Sequence, residues 1–292
     1  MVGMTQELTV APVRGASRED VAAYLSRIGF AGPTEPTLET LHGVVAAHLR
    51  TIAFENLDPL MGIPVFDLSA GALFDKMVRR NRGGYCFEQN SLLRYVLAEL
   101  GFDAVALTAR VVWMNPAALQ GPPPAQTHEL LAVLVPGDQQ RYLVDVGFGG
   151  QTLTSPVRFS VGDVQQTRHE PYRVQEFGDG FVLETLIRDD WQPLYVFTDE
   201  ARPVIDLQLG SWYVSTYPGS KFVTGLIAST VTDDARWNLN GRHLAVHHRD
   251  GHSERTRLDN ATAVLDVLMN RFGIDVGGLG DVHKRITGVL DA

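Results

Sequence analysis

The chain of 292 residues contains one cysteine, Cys86. A single thiol can form no intramolecular disulfide and no multi-thiolate zinc site, so any chemistry it has is that of a lone nucleophile. Cys86 follows Gly83, Gly84 and Tyr85 and opens a segment in which Leu92, Leu93, Val96, Leu97 and Leu100 share one helical face before Gly101. A helix N-terminus offers free backbone N–H groups and partial positive charge, which favour the thiolate. The two glycines let backbone approach a ligand closely. The competing reading is a small apolar core residue, and the helix start argues against it.

A nucleophilic thiol needs a base, and nine histidines are available. His128 and Asp145 lie 17 residues apart on two β-prone runs, His128 to Val135 and Arg141 to Val146. Pro136, Gly137, Asp138 and two glutamines join them as a hairpin. With the turn centred on Gly137-Asp138, paired residue numbers sum to 275, so His128 opposes Gly147 and Asp145 falls two residues along on the same face. Such diagonal neighbours have Cβ atoms within about 8 Å, and a one-residue slip would part them. Asp145 also sits in the apolar run Leu143 to Gly147, where a carboxylate is rare unless paired. The remaining histidines, His247-His248 included, match no zinc spacing and read as surface or core residues; no metal is expected.

The elements that must position these residues follow from periodicity. Ser17 with Asp20 opens a helix ending at Gly29, Thr37 opens a second, and Ser69 a third bearing Leu73, Phe74, Met77 and Val78. Beyond Gly101 the period shortens to two. Val105, Leu107, Ala109, Val111 and Trp113 read as one side of a half-buried strand, and a proline-rich surface loop spans 116–126. Phe181 to Arg188 and Leu194 to Thr198 flank a turn at Asp189-Asp190, so the middle third reads as an antiparallel sheet or small barrel. The last third mixes a helix over 203–216 with strands over 222–231, 242–249 and 253–258. Turns at Asn240-Gly241 and Asp250-Gly251 join these strands, and an amphipathic helix ending at Gly273 closes the segment.

Composition bounds the function. At 45% hydrophobic and 20% charged residues, the chain is an ordinary globular sequence of about two domains. A net charge of −9 disfavours nucleic acid and anionic membrane as partners. Residues Met1 to Arg14 lack the apolar stretch of a secretory signal, and no run of about 18 apolar residues occurs, so a cytoplasmic location is expected.

The run Arg82-Gly83-Gly84-Tyr85-Cys86-Phe87-Glu88-Gln89-Asn90 resembles the active-site signature of the arylamine N-acetyltransferases. Ile52 to Leu57, Thr127-His128, Val144 to Gly149 and Ser215 to Phe222 extend the resemblance over most of the chain. It implies an α+β fold with a cysteine-protease-like Cys-His-Asp core: a helical bundle (1–102), an antiparallel β-barrel (103–203) and an α/β lid (204–292). It implies that Cys86, His128 and Asp145 carry out ping-pong acetyl transfer from acetyl-CoA, without a metal, to a small arylamine or hydrazine. Phe54, Trp113 and Phe148 would line the acceptor slot, with Phe222 beside them. Thr127, Gly149, Ser220, Lys221 and Phe222 would border the cofactor, Lys221 meeting a CoA phosphate. A homo-oligomer is left open. The prolines at Gly121 to Pro124 depart from some relatives and leave the cofactor entrance undefined. Two rival activities share the triad: an amide synthase closing a macrolactam from a carrier-bound acyl chain, and, less favoured, a cysteine hydrolase.

Overall fold

The computed structural model describes residues 15–291; the N-terminal signal reading for Met1 to Arg14 lies outside them. The first third is helical: α1 (Arg18–Arg27), α2 (Leu38–Thr51), the two-residue strand β1 (Phe54–Glu55), α3 (Leu57–Leu60), α4 (Ala70–Phe74) and α5 (Cys86–Glu99). The expected start signals hold. Ser17 and Asp20 form a reciprocal capping box on α1, and Thr37 and Ser69 cap α2 and α4. The third helix departs from expectation, because after Phe74 it widens into a π turn over Asp75–Arg79 on which Lys76 is buried. Helix α5 is enclosed along most of its length. Leu92, Leu93, Val96 and Leu97 are fully buried, each such side chain contributing about 1.5–3 kcal/mol.

The middle third forms an eight-stranded antiparallel sheet from β2 (Asp103–Val111), β3 (Gln126–Leu134), β4 (Arg141–Val144), β5 (Val157–Arg158), β6 (Gln165–Gln166), β7 (Pro171–Phe177), β8 (Gly180–Ile187) and β9 (Asp190–Phe197). Its order is β5-β4-β3-β2-β9-β8-β7-β6, and the sheet curls into a nearly closed barrel. The Gln165 side chain bridges the two edge strands, accepting from the Arg158 N–H and donating to the Arg158 carbonyl. The strand over 103–113 is buried on both faces from Ala106 to Ala109 and half-buried toward its ends. Ala106 packs toward the helices, while Leu107 and Ala109 enter the barrel core with Leu130, Ala132 and Leu143. The β8–β9 turn falls at Arg188-Asp189, one residue before its expected place.

The last third holds α6 (Val204–Thr216), α7 (Lys221–Thr224), β10 (Ile227–Val231), β11 (Ala235–Asn240), β12 (His243–His248), β13 (Ser253–Arg257), α8 (Ala261–Asn270) and α9 (Val282–Leu290). Three expectations need correction here. Residues 221–224 are a helical turn, and the strand begins only at Ile227. Strand β11 was not expected, because Ala-Arg-Trp-Asn-Leu-Asn carries no clean alternation. Helix α9 follows the helix expected to close the chain. The five-stranded sheet runs β1-β10-β11-β12-β13, so its edge strand comes from the helical third. No described helix is long and apolar enough to cross a membrane.

Candidate active site

Cys86 is the first residue of α5 and is buried, and its thiol sits 3.6 Å from the Thr127 carbonyl. Gly83 and Gly84 hold it there for a reason other than ligand approach. A side chain at Gly83 would overlap the Ala53 carbonyl at 2.1 Å, and one at Gly84 would meet Glu88 at 2.9 Å. The turn is pressed against β1, where the Glu55 N–H donates to the Gly84 carbonyl at 3.0 Å.

The hairpin register is the expected one. Leu131 pairs with Val144 and Ala132 with Leu143, numbers that sum to 275. The ladder stops at Val144, and the chain beyond it passes so close to α5 that a Cβ at Gly147 would lie 2.6 Å from Cys86 Cα. Asp145 Oδ2 accepts from His128 Nε2 at 2.7 Å, with both side chains almost wholly buried. Nδ1 is thereby the ring nitrogen left for Cys86. Burial alone would pull the His128 pKa down, but the Asp145 charge and hydrogen bond, with Cys86 adding in the same sense, push it up to about 10. Burial would raise the Asp145 pKa; the His128 charge and hydrogen bonds from His128, Asn90 and the Gly147 N–H hold it below the usual carboxylate range.

Two contributors escaped the sequence reading. Asn90, one turn along α5 from Cys86, donates to Asp145 Oδ1 at 3.1 Å and to the Glu129 carbonyl at 2.6 Å, while its Oδ1 accepts from the Val146 N–H. One helix thus carries the thiol and the clamp on the carboxylate. Its signal was its place in the quoted motif, at helical spacing from Cys86. Tyr195 on β9 lays its ring 4.9 Å from that of His128, and Phe148 meets the same imidazole edge-on at 5.0 Å. No sequence signal links Tyr195 to His128, since only barrel pairing brings β9 beside them.

The line opens on a cavity of about 550 Å³, whose walls include Cys86 and His128. Phe54, Trp113 and Phe148 line it, as do Thr127, Gly149, Lys221 and Phe222. Ser220 does not; its hydroxyl accepts from the Phe222 N–H at 3.2 Å and caps α7. The proline-rich insert is also elsewhere. Pro123 and Pro124 border a separate cavity of about 360 Å³ beside Arg110 and Phe177, so the insert does not shape the space in front of Cys86.

A buried thiol, imidazole and carboxylate between a helical layer and an antiparallel barrel define the class: the cysteine-protease-like fold with a Cys-His-Asp line. The sequence model of the N-acetyltransferase family matches residues 37–280. The chain is 62% identical over 274 residues to the arylamine N-acetyltransferase of Mycolicibacterium smegmatis, covering 93% of this chain and 98% of that one. It is 58% identical to the Mycobacterium tuberculosis H37Rv protein of the same name, covering 93% and 96%. The Mycobacterium marinum arylamine N-acetyltransferase solved in complex with CoA superposes with a TM-score of 0.89 at 56% identity, covering 92% of this chain and 99% of that one. The chain belongs to the arylamine N-acetyltransferase family.

Proposed function

We propose that the chain transfers acetyl groups from acetyl-CoA to the nitrogen of arylamines or arylhydrazines by a ping-pong route through an acetyl-Cys86 thioester. The observation that carries this reading is His128 held between Asp145 and Cys86 at the wall of the cavity. In this reading residues 1–102 bring the thiol, 103–203 the imidazole and carboxylate, and 204–292 the far wall.

The His128 imidazolium stabilises the Cys86 thiolate, which attacks the thioester carbonyl of acetyl-CoA. Backbone N–H groups around the Cys86 turn, at the start of α5, would stabilise the oxyanion. As the tetrahedral intermediate collapses, CoA leaves as a thiolate and takes the proton of His128. The amine then attacks the acetyl-enzyme, neutral His128 takes its proton, and the Cys86 thiolate departs with the ion pair restored. Asp145, fixed by Asn90, keeps the ring oriented in both halves. Thiolate replaces thiolate in the first half, so that step needs no metal. Phe54, Trp113, Phe148 and Phe222 form the acceptor slot, and Thr127, Gly149 and Lys221 border CoA, Lys221 supplying positive charge that a net −9 chain must place locally.

Intact-protein mass spectrometry tests the reading. Acetyl-CoA alone should load one acetyl group on Cys86, and an arylhydrazine should discharge it. Absence of the adduct overturns the proposal, and loading only from an acyl carrier would assign the scaffold to amide synthesis.

A further inference from the structure

The tip of the β12–β13 hairpin gathers side chains that the acetyl-transfer reading does not use. His248 ends β12, His252 follows the Asp250-Gly251 turn, and Glu254 lies in β13. His248 Nε2 is 3.0 Å from Glu254 Oε1, and His252 Nε2 is 3.6 Å from the same oxygen. One donor atom from each residue lies within 4.8 Å of the others. We propose that this hairpin tip is a zinc-binding site, with His248 Nε2, His252 Nε2 and Glu254 Oε1 as ligands and water in the fourth position.

Three observations support the assignment. Tetrahedral zinc with bonds of about 2.0–2.1 Å holds its donors about 3.3–3.4 Å apart, and the two measured separations bracket that value. Two imidazoles and one carboxylate form a donor set that suits zinc and not calcium or magnesium, which prefer oxygen alone. The third is the tautomer of His252. Asp250 Oδ1 lies 2.5 Å from His252 Nδ1, and a carboxylate can only accept, so Nδ1 carries the proton and Nε2 of the neutral ring has a free lone pair. A carboxylate behind the non-ligating nitrogen is the usual outer support of a metal-bound histidine.

The two rings stack at 3.9 Å with a 10° interplanar angle. Parallel rings direct their lone pairs side by side, so zinc must turn them toward one point. His252 is 54% exposed and has room to rotate. Zinc takes the Nε2 lone pair of His248, so the proton shared there with Glu254 passes by way of solvent to Nδ1, a change of tautomer with no net proton release. His247 belongs to the other face of the strand, where it bonds Ser253 Oγ at 2.8 Å, and serves as the control.

The test uses the full chain carrying Cys86→Ser, which removes the active-site thiol as a competing ligand. Titration with Zn²⁺ by calorimetry should give one equivalent bound, and Co²⁺ should give the intense visible bands of a tetrahedral site. His252→Ala and Glu254→Gln should each weaken binding at least about tenfold. Asp250→Asn, which leaves all three ligands in place, should weaken it by about tenfold. His247→Ala should leave it unchanged. Zn²⁺ should raise the melting temperature of the Cys86→Ser protein but not of the same protein with His252→Ala. No binding to the Cys86→Ser protein, or equal affinity in the His252→Ala and Glu254→Gln variants, overturns the site and leaves the cluster an ordinary ion pair.

Discussion

Two buried charged groups flank the first turn of α5, and they differ in one respect. On one side is the Cys86, His128 and Asp145 line. On the other, Arg82 donates to Glu55 and Asp58 at 2.7–2.9 Å, and Lys76 reaches Asp58 at 2.5 Å and Glu88 at 2.6 Å. Glu88 Oε2 also accepts from the Tyr85 N–H, so this cluster anchors the same helix start. Burial pushes the Glu88 pKa up to about 7 against the opposing charge of Lys76. Each carboxylate in the cluster has a cation on it, and neither Glu55 nor Arg82 lines the cavity in front of Cys86. The triad instead ends at the cavity, with a thiol whose partner comes from outside. Burial of charge is therefore common to both; a reactive end exposed to a cavity belongs to one.

The comparison can be broken at four points. Cys86→Ala should lower kcat/KM by about 10⁴-fold or more while leaving the melting temperature near that of the parent. Steady-state rates with acetyl-CoA and an arylhydrazine decide it, and retained turnover would place the reactive end elsewhere. Arg82→Leu leaves buried Glu55 without its cation and Asp58 with Lys76 alone, and should cost about 3–5 kcal/mol of stability in urea unfolding, with activity per folded molecule within a few-fold of the parent. A loss of activity well beyond the unfolded fraction would give the cluster a part in the chemistry.

Asp145→Asn should reduce turnover by at least about 100-fold and slow iodoacetamide alkylation of Cys86. Its pH signature follows from the two shifts. His128 is raised from 6.5 to about 10, so the pair's stabilisation is full below pH 6.5 and lost as pH rises through 10. Asp145 is lowered from 3.8, so its share is present above that pH and lost below it. The stability gap between parent and Asp145→Asn should thus be widest between pH 3.8 and 6.5 and close toward pH 10; a gap that widens across that upper range would contradict the ion pair. The smallest effect is that of Ser220→Ala. Loss of a cap on a single helical turn should cost about 1 kcal/mol or less and raise KM for acetyl-CoA a few-fold through Lys221 and Phe222, with kcat unchanged. An unchanged KM would separate α7 from cofactor binding.

The sequence was most informative where spacing alone sets geometry. The thiol at a helix start, the hairpin register and the rarity of an unpaired aspartate among apolar residues together placed His128 on Asp145. It was least informative where position depends on pairing between distant strands. Tyr195 reaches His128 only because β9 pairs with β2, and β1 joins β10 across more than half the chain. Short elements were also hidden: α7 has four residues, too few for a helical period, and its one local signal was Ser220 as a cap. The glycines before Cys86 were legible as a close approach, but the partner is the Ala53 backbone and not a ligand.

Strand β1 has a consequence for how the molecule comes into being. Phe54 and Glu55 bond to the turn before Cys86 on one side and to Ala228 and Ser229 on the other, and Asn56 ties the carbonyls of Phe222 and Gly225 to the Ile227 N–H. During synthesis the thiol, imidazole and carboxylate have all left the ribosome once residue 145 is clear. The strand that braces the thiol must still wait for some eighty more residues before its second edge is filled. A chain interrupted after the barrel would hold all three reactive groups and yet expose an open strand edge beside them, a template for pairing with other chains.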